Sequence, residues 1–511
     1  MGEIRSAEPQ RPRKRTLLSL GAGLLLFAGI LLFVDLEPGR PEVTRTAAVA
    51  ALMAVWWMTD AIALAATALI PMVAFPLLGI MNGKAVAPIY FNHIIFLFLG
   101  GFMVALAMER WNLHRRIALR ILLLFGTRPR NLLLGFMVAS AFLSMWISNT
   151  ATTMMMVPIV LAVIVNIEDA LGGGRFAKSS VALLLGVAYG ATLGGIATLV
   201  GTLPNLSFAR IFEITFPGAP EIGFASWMLY ALPISILFLF LVWCFLSLFY
   251  LRSAGGMIDK SVIESQYKAL GALSFEEKVV LADFILLALL WVFRTDLQLG
   301  IFTIPGWSRL LANSEWLNDG VVAVGMALIL FLIPSVTERR TQILDWQTAA
   351  RLPWNIVLLF GGGFALASGF KESGLSLWIG DCLSGAQAIH PLLLIALISL
   401  VITFLTELTS NTATAEMLLP ILAGLALSVR INPLLLMVPG TLACSLAFML
   451  PVATPPNAII FGTNRLRIGQ MARIGVLLNL CGVFIVALAT WFIGREVFGI
   501  DLAQFPQWAG E

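Results

Sequence analysis

Ser148-Asn149-Thr150-Ala151-Thr152 and Ser410-Asn411-Thr412-Ala413-Thr414 are one five-residue sequence written twice, 262 positions apart. Each copy sits inside a long apolar stretch, 131–166 for the first and 391–428 for the second. Outward from them, Leu99-Gly100-Gly101-Phe102 is answered by Gly361-Gly362-Gly363-Phe364, and Pro158 by Pro420, at the same offset of 262. Farther along, Gly201-Thr202-Leu203-Pro204-Asn205 pairs with Ala453-Thr454-Pro455-Pro456-Asn457, where the offset has drifted to 252. The chain is thus two similar halves.

Composition fixes the solvent around them. Of 511 residues, 59% are apolar and 12% charged, with a mean hydropathy of +0.94. Soluble domains carry about 25% charged residues, so a soluble globular protein is excluded and most of this surface faces lipid. The net charge of +4 does not point to nucleic acid, because the basic residues lie in short loops between apolar runs, which is a signature of membrane topology. Cys244, Cys382, Cys444 and Cys481 stand singly, without CxxC or Cys/His spacing, so neither a disulfide framework nor a zinc site is expected.

A spanning helix needs about 20 apolar residues. The stretches 131–166 and 391–428 are too long for one pass and too short for two, and suit hairpins that enter and leave by one face. With those set aside, about 11 transmembrane helices remain. Arg128, Arg130, Arg252, Lys260, Arg339, Arg340, Arg465, Arg467 and Arg473 fall on one side, and Asp35, Glu37, Glu213, Glu221, Glu315, Asp501 and Glu511 on the other, which predicts an N-in, C-out arrangement. Two halves with odd numbers of passes are inverted relative to each other, and inverted repeats with interrupted helices at matching positions point to a transporter site. The expected fold is an all-α polytopic membrane protein. Its parts are a tail and first helix (1–43), a first inverted repeat (44–251), a cytoplasmic linker (252–278), a second inverted repeat (279–500) and a short tail (501–511). Each repeat holds a re-entrant hairpin and a broken helix, in what is expected to be the plasma (inner) membrane.

Polar groups at mid-membrane depth must be satisfied by protein, water or ligand. Ser, Asn and Thr are favoured helix N-caps. A helix beginning just after each Ser-Asn-Thr would aim free N–H groups and a positive dipole end into the membrane, a setting for a carboxylate-bearing anion. Thr454-Pro455-Pro456-Asn457 cannot continue a helix. The break exposes carbonyl oxygens, hard ligands suited to a small cation such as sodium. Ser144 and Thr406 lie four residues before Ser148 and Ser410, on the face leading to each triplet. Gly186, Gly190 and Gly194 recur every fourth residue, which lets helices approach closely.

These paired motifs, with Ala458-Ile459-Ile460-Phe461-Gly462 following the second break, resemble the divalent anion/sodium symporter family, carriers of dicarboxylates, citrate and sulfate, over nearly the whole chain. The resemblance implies a homodimer of eleven-pass protomers in which a transport domain slides against a scaffold as an elevator. It implies a first sodium site at Ser144, Ser148, Asn149 and the Gly201 backbone, and a second at Thr406, Asn411 and the backbones of Thr409 and Ala453. Substrate would meet Asn149, Thr150, Asn411 and Thr412, flanked by Thr202 and Pro455. Leu203 departs from the pattern, standing where the family usually has a first proline.

The site contains no Arg or Lys, so sodium bound first would supply the charge a dianion needs. The function expected is therefore sodium-coupled uptake of di- or tricarboxylates of the succinate, malate, fumarate and citrate class. Alternatives are dicarboxylate exchange without net cation coupling and sulfate/sodium symport. An intramembrane enzyme would need a nucleophile with its base or a metal cluster, and no HExxH or GxSxG pattern is present. Glu407 and Glu416 are the nearest carboxylates to the site, candidates either for proton coupling or for stiffening the second hairpin.

Overall fold

A computed structural model describes residues 13–126, 128–171, 177–251, 260–299, 302–338, 340–502 and 504–510. The N-terminal tail before Arg13 and the start of the linker, 252–259, lie outside the described residues.

Apolar composition along the chain produces helices. Among the described residues, six are long and apolar enough to cross a membrane: Thr16–Phe33, Gly83–Arg110, Asn149–Asn166, Ser179–Ile196, Phe224–Tyr250 and Ile468–Val497. Shorter apolar helices, Leu64–Leu78, Asp319–Leu332, Pro391–Thr406 and Leu434–Cys444, stand among them. A two-stranded antiparallel ribbon, Leu297–Leu299 with Phe302–Ile304, interrupts the helical architecture, Leu297 facing Ile304.

Both Ser-Asn-Thr triplets fall where one helix stops and another starts, and the second helix begins inside the triplet, at its asparagine, rather than just after it, because serine takes the capping position. In the first half, Pro129–Ser144 is followed after four residues by Asn149–Leu171. In the second half, Pro391–Thr406 is followed after four by Asn411–Ser428. Each leading arm has proline in its first turn, where the missing N–H costs nothing. At 16 residues each, the arms reach about 24 Å, short of the ~30 Å hydrocarbon layer.

Both expected broken helices are broken. Ala177–Ile196 gives way to an unwound loop, 197–202, and resumes as Leu203–Thr215. Leu434–Cys444 gives way to a longer loop, 445–454, and resumes as Pro455–Phe461. The glycine ladder explains how the first of these seats itself. A Cβ at Gly186 would sit 2.5 Å from Leu133, one at Gly190 2.7 Å from the Met137 carbonyl, and one at Gly194 would collide with the Ala141 carbonyl. Steps of four on one helix match steps of four on the arm Pro129–Ser144, so the two backbones lie in contact.

The halves interlock. Leu203–Thr215 packs on Asn411–Ser428 of the other half, and Pro455–Phe461 packs on Asn149–Leu171. Tyr189 Oη donates to the Phe448 carbonyl at 2.7 Å, tying the first broken helix to the second loop.

Two apolar runs that are unbroken in the sequence, 94–125 and 61–80, are divided in the structure. The run 94–125 splits at Asn112, whose φ of 56° ends His93–Arg110 and begins Leu113–Leu124. Asparagine tolerates that left-handed conformation. The second piece carries Arg116, which reaches Glu277 at 2.6 Å rather than entering lipid. The run 61–80 splits into Leu64–Thr67 and Ile70–Leu78, the latter with Pro71 in its first turn. From the linker, Ser261–Ala269 forms a short helix against Leu113–Leu124. The cysteines are free.

Candidate substrate and cation site

At the first tip, Ser144 Oγ lies 2.5 Å from the Asn149 carboxamide, and the inward atom of that carboxamide lies 3.3 Å from the carbonyl oxygens of Ala191 and Gly201. With nitrogen inward, the two hydrogens of the Asn149 amide have all three oxygens within reach as acceptors. With oxygen inward, four oxygens converge, an arrangement that a cation would hold together. Gly201 has no room for a side chain: its Cβ would lie 2.5 Å from the Gly195 carbonyl and 2.9 Å from that of Ser144. The unwound backbone therefore passes directly against the end of the arm. Thr198 fastens it there, donating to the Met145 carbonyl at 2.5 Å and accepting from Gly201 N at 3.1 Å.

The second tip repeats the contact with threonine for serine. Thr406 Oγ1 lies 2.8 Å from Asn411 Oδ1 and 2.8 Å from the Cys444 carbonyl, the last residue before the second loop. Here the loop is fastened by a carboxylate. Glu407 accepts from the backbone N–H groups of Phe448 (2.7 Å), Met449 (2.8 Å) and Leu450 (3.0 Å), and from Asn479 Nδ2 (2.8 Å).

The loops share internal wiring. Asn205 Nδ2 bonds the carbonyls of Thr198 (2.7 Å) and Gly195 (3.5 Å), and Asn457 Nδ2 those of Leu450 (3.1 Å) and Ala447 (3.0 Å), acceptors 252 residues apart in each case. Both asparagines are fully buried, and among the described residues neither Oδ1 has a partner.

Of the expected site residues, Ser144, Asn149 and Gly201 come together, as do Thr406 and Asn411. Ser148 turns to its own helix, accepting from Ala151 N at 3.2 Å. Thr409 bonds the Leu405 carbonyl and the Thr414 hydroxyl, and Ala453 N bonds Leu450 within the loop. Thr150 is half-buried and Thr412 buried, each in the first turn of its helix. Thr202 is buried and Pro455 exposed, at the starts of the two resumed helices. Thr198 was not anticipated, although a threonine three residues before Gly201 is visible in the sequence. Trp146 packs the first tip from behind, stacked on Phe224 and edge-on to Phe284, with ring centroids 5.9 and 4.9 Å away.

The profile of the sodium:sulfate symporter transmembrane region matches residues 17–499. The chain belongs to this family of divalent anion:sodium symporters. The symporter is 42% identical over 498 residues, 96% of this chain and 93% of the relative, to a Staphylococcus saprophyticus protein named sodium-dependent dicarboxylate transporter SdcS. Its identity to the protein of that name from Staphylococcus aureus strain NCTC 8325 is also 42%, over 501 residues covering 96% of this chain and 93% of the relative. Among solved structures, it resembles MtrF of Neisseria gonorrhoeae (TM-score 0.56, 14% identity, 92% of this chain and 97% of that one). It also resembles the YdaH transporter of Alcanivorax borkumensis (TM-score 0.53, 15% identity, 94% and 97%). At such identities these two speak for the fold alone. The symporter is a multi-pass membrane transporter and not an enzyme.

Proposed function

We propose that this symporter moves di- or tricarboxylates of the succinate, malate, fumarate and citrate class across the plasma membrane together with sodium. The observation that carries the reading is the contact built twice, Ser144 with Asn149 and Thr406 with Asn411, each where an interrupted helix starts beside an unwound loop. The names of the SdcS relatives support dicarboxylate over sulfate.

Sodium would occupy the oxygen-rich space at each tip. The first set is Ser144, Ser148, the Asn149 oxygen turned inward and the Gly201 backbone. The second is Thr406, Asn411 and the backbones of Thr409 and Ala453. The substrate carboxylates would meet Asn149, Thr150, Asn411 and Thr412, with Thr202 and Pro455 alongside. At the second tip free N–H groups favour this placement, because the Ser410 hydroxyl does not cap Asn411–Ser428 and leaves its first donors to a ligand, whereas at the first tip Ser148 already takes the Ala151 N–H. Cations bind before the anion, since a dianion there has no lysine or arginine to meet it.

The larger frame of this reading is eleven passes, N-in and C-out, in two inverted repeats (44–251 and 279–500), with re-entrant hairpins at 131–166 and 391–428. Each protomer of a homodimer carries its substrate by an elevator movement. Uptake of labelled succinate, citrate and sulfate into proteoliposomes, with and without an inward sodium gradient, tests the core of it. Sodium-driven succinate uptake is the expected result. Counterflow that proceeds equally in choline would replace symport by exchange, and sulfate as the preferred anion would replace the substrate class.

A further inference from the structure

Where the helices that begin at the two tips pack together, a hydrogen bond between side chains joins the halves and has no counterpart under the repeat. Ser207 Oγ, on the resumed helix Leu203–Thr215, lies 2.5 Å from Glu416 Oε1, on the second hairpin's helix Asn411–Ser428. Both side chains are fully buried, and among the described residues Glu416 Oε2 has no partner. The fold makes room for this carboxyl at Gly363, where a Cβ would collide with Oε2. The reciprocal packing, Pro455–Phe461 on Asn149–Leu171, has Ile459 and Met154 at the matching positions, so no such hydrogen bond can form there. A half-satisfied buried carboxyl is unfavourable. Groups that break the packing rules of a fold concentrate where function requires them.

We propose that the Ser207–Glu416 hydrogen bond is the link through which the two cation sites influence each other, with Glu416 a positioning residue for the second hairpin. This rests on the symport reading. Ser207 lies early in the helix that starts just after Gly201, and Glu416 early in the helix that starts at Asn411. A rearrangement on filling one tip can therefore reach the other through a buried side-chain bond between the two helices that begin at the tips. That is a coupling of two sites through a shared element.

The experiment is the sodium dependence of labelled succinate uptake by proteoliposomes of the full chain, comparing wild type with Ser207→Ala, Glu416→Met and Glu416→Gln. Ser207→Ala and Glu416→Met are expected to lower the sodium Hill coefficient toward one and raise the half-saturating sodium concentration about 5-fold. Glu416→Gln, which keeps an oxygen for Ser207, should follow the wild-type curve. A merely structural contribution would reduce the amount of active carrier without changing the shape of the curve. Wild-type Hill coefficients in Ser207→Ala and Glu416→Met, or a Glu416→Gln curve as altered as that of Glu416→Met, overturn the link. Should Glu416→Met fail to fold, the small change Ser207→Ala decides alone. Wild-type uptake indifferent to sodium would remove the symport reading itself, a result distinct from either.

Discussion

Thr202 and Thr454, 252 residues apart, hold the same backbone conformation, φ −141° and ψ 144° in one, φ −141° and ψ 148° in the other. Each is the last extended residue of an unwound loop before a helix resumes. The second is followed by two prolines and the first by Leu203-Pro204. The missing proline has therefore not altered the geometry of the first break. An extended residue is what a following proline requires, and Leu203, at the first helical position, is where proline is best tolerated. Leu203→Pro should keep sodium-dependent uptake and raise stability by roughly 0.5 kcal/mol through the unfolded chain. Thermal melts and uptake on the same preparation check both, and loss of uptake would mean that the two breaks are not equivalent in function.

The Ser144 and Thr406 hydroxyls bridge an arm to the asparagine that begins the next helix. Ser144→Ala and Thr406→Ala should each raise the half-saturating sodium concentration about 10-fold, the scale expected when an oriented ligand shell is cut. Thr406→Ala should be the more damaging, because the Cys444 carbonyl also loses its donor. Thr406→Ser should restore the curve. Unchanged sodium dependence in both alanine variants would remove these hydroxyls from the cation sites.

The repeat and both breaks were legible because proline, glycine and the Ser-Asn-Thr triplets act through local backbone chemistry. What the sequence did not disclose depends on which surfaces meet. Nothing in the order of residues says that Asn205 spans its own loop, that Tyr189 reaches Phe448, or that Glu407 turns toward three N–H groups some forty residues ahead. The division at Asn112 was hidden for a different reason. Hydropathy averages over a window, and a single left-handed residue between two apolar stretches leaves the average unchanged.

Glu276 gives the fold a pH dependence outside the lipid-facing runs. It precedes the apolar segment 279–293, and it accepts from the N–H groups of Val336 (2.9 Å) and Thr337 (2.8 Å) and from the hydroxyls of Ser335 and Thr337. Burial pushes this carboxyl upward, but the Thr337 N–H and the two hydroxyls outweigh it and hold it at about 2, against an ordinary 4.5. A group held low in the folded state contributes stability that is complete above its unfolded value and disappears as pH falls through the folded one. Glu276→Gln should therefore melt below wild type at neutral pH, and the gap should close as pH drops from about 4.5 toward 2. Melting curves across that range in detergent check it, and a gap independent of pH would assign the loss to packing.

Glu407 is the strongest test of how the second loop is held. Its matching position in the first half is Met145, which offers only a main-chain carbonyl to Thr198, and the loop there spans 197–202. The second loop spans 445–454 and has more backbone to satisfy. Four donors converge on the Glu407 carboxylate. Glu407→Ala leaves three main-chain N–H groups without that acceptor at about 1–3 kcal/mol each, so a loss of at least ~3 kcal/mol is expected. Glu407→Gln keeps one oxygen but turns a donor toward donors, and should fall between. If the loop's carbonyls belong to the second cation site, sodium should raise the melting temperature of Glu407→Gln by less than it raises that of wild type. An equal sodium-induced rise in the two proteins would show that the loop's anchoring and cation binding are separate.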